Sequence, residues 1–209
     1  MPSLFFRSLL LVGGIALGSG VKAGIIFSDD FSGNTPGVNN TPQGWTIANA
    51  GGVDILGTCN SIELDDLIPG NNCYIDLTSD VGPPGEFGSN GLLTRTLFLS
   101  AGHSYIAFFD LGGNNLNPFT DTVTINLGSS VKEVTLNYDD QFITSSIVFS
   151  PSSSGLYDLS FINSNIDYYG ALLDNIRVEQ VPGPLPFLGV GSAFAFRGRL
   201  RARRRNSSS

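Results

Sequence analysis

The single histidine of the chain, His103, lies in SAGHSY, a glycine-containing turn leading into an apolar stretch. A Ser-His-Asp arrangement needs that histidine beside an activated serine, and no G-x-S-x-G or comparable nucleophile signal is present. His103 therefore reads as a surface turn residue. Glycoside hydrolysis needs only two carboxylates across a cleft, and none of the 18 acidic residues stands out as half of such a pair. Hydrolysis of polysaccharide ranks third, behind two non-catalytic readings. Cys59 and Cys73 are the only cysteines. With one distant histidine they fall short of a zinc site, which leaves two buried free thiols or a disulfide. In an oxidising compartment the disulfide is expected, and closing a loop of about 15 residues would stabilise the fold by roughly 3 kcal/mol.

Sugar recognition is a different chemistry, in which pyranose rings pack on aromatic faces while their hydroxyls bond amides and carboxylates. Phe119, Tyr138, Tyr168 and Tyr169 stand in loop-forming segments among Asn114, Asn115, Asn117, Asp139, Asp140, Asn165 and Asp167. Of these, Phe119, Tyr168 and Tyr169 are the candidate ligand-binding residues, although a place in the core or at its rim would suit each tyrosine as well. Trp45, after a Gln-Gly turn, is expected in the core. The stretch DLGGNNLNPFTD carries oxygen ligands, but Asn115 occupies the sixth position, where an EF-hand loop needs glycine. It reads as a connection between strands.

The elements that must position these residues are strands. From residue 24 to 180, short alternating or branched apolar stretches are separated by Gly, Asn, Pro and Ser clusters. Strands are predicted over 24–28, 45–48, 53–56, 73–78, 92–99, 104–111, 122–127, 132–137, 142–149, 156–162 and 171–179. With no helical period, this pattern gives an all-β fold, a two-sheet antiparallel sandwich. TVTINLG alternates cleanly, which places Val123, Ile125 and Leu127 on a packed face. HSYIAFFDL and GALLDNI are almost continuously apolar and are expected at the middle of the fold.

Charge separates this segment from the ends. All 18 acids lie between Asp29 and Glu179 with only Arg95, Lys132 and Arg177 among them, a net charge of −15, which repels nucleic acid and anionic lipid. Residues 1–23 form a signal helix: a basic residue at Arg7, an apolar run of about ten residues, too short for the ~20 of a membrane span, and small residues before Ala23. Signal peptidase and the Sec machinery are the implied partners. Residues 181–209 hold the prolines 182, 184 and 186, the apolar FLGVGSAFAF, then Arg197, Arg199, Arg201, Arg203, Arg204 and Arg205. An apolar stretch followed by a basic cluster is what a membrane-inserted tail under the positive-inside rule requires.

The order FSDDFSG, GW, CYIDLTSD, SAGHSYIAFFDLGGNN, DTVTINLG, GLYDLSF, GALLDNIRV resembles secreted bacterial, often cyanobacterial, proteins with a galactose-binding-like jelly roll, a shape shared with carbohydrate-binding modules. The tail resembles the PEP-CTERM sorting signal in its Val181, Pro182, Gly183, Pro184, Leu185, Pro186 variant, with Gly183 in place of the glutamate. The resemblance implies recognition by an exosortase-type membrane enzyme. The chain is then a non-enzymatic, exported cell-surface or matrix protein, membrane-bound only through its tail before processing. The alternative is a secreted carbohydrate-binding module recognising envelope or matrix polysaccharide. In jelly rolls of this shape the first and last strands are neighbours and often hold a structural calcium, which carried over would be held by Asp30 and Asp174.

Overall fold

A computed structural model of the protein describes residues 24–81, 87–165 and 168–181. Residues 1–23, expected as a signal helix, residues 182–209, with the rest of the expected sorting motif and the arginine cluster, and Asp167 lie outside the described residues. Fourteen strands and no helix occur among the described residues: β1 Gly24–Asp29, β2 Thr46–Ile47, β3 Asp54–Cys59, β4 Ile62–Leu64, β5 Cys73–Asp76, β6 Thr78–Val81, β7 Phe87–Asn90, β8 Leu93–Leu99, β9 Ser104–Gly112, β10 Asp121–Leu127, β11 Ser130–Leu136, β12 Ile143–Phe149, β13 Gly155–Asn163 and β14 Leu172–Val181. They form a jelly-roll sandwich. One sheet runs β12-β9-β14-β5-β3-β4, with β1 also on β14; the facing sheet runs β11-β10-β13-β8-β2; β6 and β7 make a separate ribbon.

Alternation explains the packing. In β10, Val123, Ile125 and Leu127 are fully buried while Thr122, Thr124 and Asn126 are half-buried on the wet side. Leu127 opposes Ser130 across a two-residue turn whose first residue, Gly128, has φ +57°, as a type II′ hairpin requires. A Cβ there would also lie 2.4 Å from the Phe149 ring, so only glycine fits. Between the sheets Trp45 packs against Phe27, Phe31 and Phe161 at centroid distances of 5.9, 6.0 and 6.2 Å. Its Nε1 donates to Asp29 Oδ2 at 2.8 Å, which satisfies the one polar atom of the ring.

β9 and β14 are the central pair, in register from Leu172 opposite Gly112 to Val181 opposite Ser104. The first half of β14 pairs with β5 and the second half with β1, so one long strand is flanked on one side by two shorter ones. The change of partner coincides with a bulge at Asn175, whose φ of +51° is tolerated by a short amide side chain.

Three elements differ from the sequence reading. The strand expected over 73–78 breaks at a bend at Leu77, whose side chain turns into the core, so that Thr78 starts the β6–β7 ribbon instead. β4 and β7 were not expected, because IEL is only three residues long within a polar, turn-forming stretch and FGSN carries no alternating apolar signal. Cys59 and Cys73 are disulfide-bonded, with Cα atoms 5.1 Å apart. The bridge pins the ends of the β4 segment, so that Leu64, Leu67 and Ile68 cover a second apolar cluster of Leu56, Tyr74 and Leu172 on the outer face of the larger sheet.

Candidate functional site

At one end of that outer face lies a cleft of about 210 Å³ lined by Asp54, Leu56, Asp65, Leu67, Asp76, Leu116 and Tyr169. Its floor comes from strands. Asp54 of β3 and Asp76 of β5 are direct cross-strand partners, and the period of two puts them on the face opposite the core residues Ile55 and Ile75. Its walls come from loops drawn together by asparagines. Asn114 is 1% exposed; its Nδ2 donates to the Tyr169 carbonyl at 3.0 Å, and its Oδ1 accepts the Leu116 and Asn117 amides at 2.9 and 2.8 Å. The Asn165 side chain donates to the Thr120 carbonyl. Residues 113–120 are thereby tied to Asn165 and Tyr169, and Phe119, Tyr168 and Tyr169 are 65%, 41% and 36% exposed. The Tyr168 and Tyr169 rings sit 6.5 Å apart at 54°. Aromatic surface of this kind beside oxygen acceptors offers what a pyranose ring and its hydroxyls need.

Behind the cleft floor is a buried polar group. Asp76 Oδ1 accepts the Thr78 and Gly170 amides at 2.8 and 2.9 Å. Asp54 Oδ1 accepts the Asn39 amide at 2.7 Å, and Asp121 accepts Asn163 Nδ2 at 2.8 Å and Asn114 Nδ2 at 3.2 Å. Burial first, and then the charges of Asp54 and Asp121, push the Asp76 carboxyl well above the usual carboxylate range against two backbone amides that favour its charged form.

A second acidic neighbourhood lies where β1 meets β14, beside a groove of about 320 Å³ lined by Ser28, Asp29, Asp30, Asn175, Ile176 and Arg177. Asp174 and Asp110 are cross-strand partners, and Asn175 Nδ2 donates to both, at 3.3 and 3.0 Å. Asn71 Nδ2 donates to Asp174 at 3.3 Å. Burial, with the charges of Asp110, Asp30 and Asp29 adding to it, pushes the Asp174 carboxyl up to about 7. Asp30 behaves in the opposite way, held low by the hydroxyl and amide of Ser32 at 2.7 and 3.1 Å. The two residues named for calcium thus feel each other electrostatically. Among the described residues, no three His, Cys, Asp or Glu side chains converge as a metal-holding group.

Other expected residues take structural places. His103 is half-buried, its Nδ1 accepting from Gln180 Nε2 at 3.0 Å. Trp45 is in the core. Tyr138 is exposed, and Asp140 caps its own turn by accepting the Asn137 amide at 2.8 Å. Val181, where the expected sorting motif begins, is the last described residue of β14. Asp54, Asp65, Asp76 and Leu116 were not singled out from the sequence. A signal for two of them existed: GVDIL and YIDL each set one carboxylate inside an apolar strand, where a solvated residue has no reason to be.

No protein-family model matches the chain, and no curated protein matches it. Among solved structures, the xylan-binding CBM22-1 domain of Xyn10C from Paenibacillus barcinonensis superposes with a TM-score of 0.53 at 11% identity, covering 79% of this chain and all of that one. The K3 cleaved adhesin domain of Lys-gingipain from Porphyromonas gingivalis superposes with a TM-score of 0.50 at 9% identity, over 76% of this chain and 99% of that one. At such identities the likeness is one of fold, and it places the described residues in the jelly-roll architecture of these modules.

Proposed function

We propose that the chain is a non-catalytic, exported carbohydrate-binding protein that takes extracellular polysaccharide into the cleft at Asp54, Asp76 and Tyr169. The observation that carries this reading is the juxtaposition of the exposed Tyr169 with the oxygens of Asp54, Asp65 and Asp76 in one cleft. Carboxylates and asparagines recognise neutral sugar hydroxyls, whereas phosphate- or sulfate-bearing polymers would be repelled by the local negative charge. Affinity electrophoresis on neutral cell-envelope and plant polysaccharides tests it. Tyr168→Ala with Tyr169→Ala should weaken retention tenfold or more, about 1.4 kcal/mol per factor of ten. Phe98→Ala, 64% exposed on the opposite sheet, should leave retention unchanged. Absence of retention on every neutral glycan, or equal retention by the tyrosine variant, would sink the reading.

The export half of the proposal rests on the two ends. Residues 1–23 carry the leader pattern, and Val181 to Pro186 with the arginine cluster carry the sorting pattern, which an exosortase-type enzyme would process at the membrane before release to the cell surface. Calcium at Asp30 and Asp174 belongs to the same proposal. Asp30 and Asp174 carry oxygen as hard cations require, and a cation between them would offset the carboxylate repulsion that adds to burial in lifting Asp174.

A further inference from the structure

We propose a second cation site, separate from the Asp30 and Asp174 neighbourhood, in which Asp76, Asp121, the Asn163 side-chain carbonyl and the Thr78 hydroxyl hold a calcium-class divalent cation beneath the loop that carries Tyr168 and Tyr169. The first observation is Asn163. It is 1% exposed, and its Oδ1 is a buried side-chain atom with no hydrogen-bond partner, although its Nδ2 donates to Asp121 Oδ1 at 2.8 Å and reaches Thr78 Oγ1 at 3.4 Å. Turning the amide over would set its carbonyl oxygen against the Asp121 carboxylate, so the acceptor is held in place by its own donor. A buried carbonyl without a donor is costly, and an amide oxygen is a common calcium ligand.

The second observation is the pairing of charge. Asp54 and Asp76 face each other across the β3–β5 ladder, and these two and Asp121 are each 4% exposed or less. Like charges directly opposed in a ladder destabilise it, more so out of water. Asp76 feels both Asp54 and Asp121. Carboxylate, amide and hydroxyl oxygens with no nitrogen or sulfur donor suit calcium rather than zinc. The set is mixed, in keeping with the absence of any three-carboxylate group among the described residues.

Gly170 ties the site to the cleft wall. A Cβ on it would lie 2.4 Å from Thr78 Oγ1 and 2.9 Å from Asp76 Oδ1, so the backbone next to Tyr169 closes directly over the proposed donors. A cation there would hold this loop against the sandwich. The inference does not depend on the carbohydrate reading, because it concerns stability and metal content alone.

The test uses the full chain in the Asp174→Asn background, which takes from the other acidic neighbourhood one of the two carboxylates named for calcium. After chelation and dialysis against calcium chloride, atomic emission should count one calcium per chain, and calcium should raise Tm by several degrees. Adding Asp121→Asn should abolish both effects. Because that variant could fail to fold, Asn163→Asp is made in parallel: it keeps the volume, adds a ligand charge, and should bind calcium more tightly while losing more stability in chelator. If the Asp174→Asn chain binds no calcium, the inference is wrong. It is equally wrong if either added substitution leaves the calcium response unchanged, or if Asp76→Asn stabilises the chain in the presence of calcium, which would show that a proton rather than a cation neutralises the site.

Discussion

Four aspartates placed inside apolar strands, Asp54, Asp76, Asp110 and Asp174, meet in two cross-strand pairs on one sheet. A carboxylate in such a run would normally be selected against, since its burial favours the neutral form. Asp174 makes this measurable. Its folded value of about 7 lies above the ordinary 3.8, so without divalent metal the fold favours the protonated form. This group's contribution is therefore greatest below about pH 4 and is lost as pH rises towards 7. In chelator, Asp174→Asn is expected to raise Tm at pH 7.5 and to change it little at pH 4.5, as followed by circular dichroism. A stabilisation equal at both pH values would show that Asp174 titrates normally. Saturating calcium should cancel the gain at pH 7.5, because the substitution also removes a ligand.

Among the elements, the segment between Cys59 and Cys73 contributes most beyond its own length. Only three of its residues, Ile62–Leu64, form a strand, and Asn60, Ser61 and Asp65 all take positive φ, which non-glycine residues seldom adopt. What holds it is the bridge across a separation of 14 residues and the packing of Leu64, Leu67 and Ile68 on Leu56, Tyr74 and Leu172. The Tyr74 hydroxyl accepts the Leu67 and Ile68 amides at 2.6 and 3.2 Å, and burial pushes its ionisation up to about 12. Replacing both cysteines by alanine should cost about 3 kcal/mol in chain-entropy terms, read as a lower denaturant midpoint. Limited proteolysis should then cut within 60–72 first. Since Asp65 and Leu67 line the cleft, retention on polysaccharide should weaken as well. Unchanged proteolysis would mean that the apolar cover suffices without the bridge.

For the whole molecule, the question is where the folded unit ends. Val181 still pairs with Ser104 at the end of β14, so a truncation that respects the ladder begins at Pro182. Pro182 has no amide to donate to a ladder, so the truncation removes no backbone donor at its first residue. If residues 182–209 are an address, as their sequence pattern implies, deleting them leaves Tm within about 2 °C, as a change that removes no packed feature does. The same deletion should change where the protein accumulates, by fractionation into membrane, surface and medium. A large drop in Tm, or an identical distribution, would each contradict the address reading.

Much of this architecture was legible in the sequence. Alternation in TVTINLG and continuous apolarity in HSYIAFFDL and GALLDNI identified an all-β sandwich and its central strands, because the side-chain period of a strand is local and burial of one or both faces writes itself into neighbouring residues. The cysteine pair was legible for a related reason, as two thiols and one compartment leave few partners. The cleft was not. Tyr169, Leu116 and Asp76 are brought together by Asn114 and Gly170, each bonding to a residue more than 50 positions away in the chain. Nor could sequence show that Asp54 opposes Asp76 or that Asn163 buries a side-chain oxygen with no hydrogen-bond partner, because register across a ladder is decided by the packing of whole sheets and not by either strand alone.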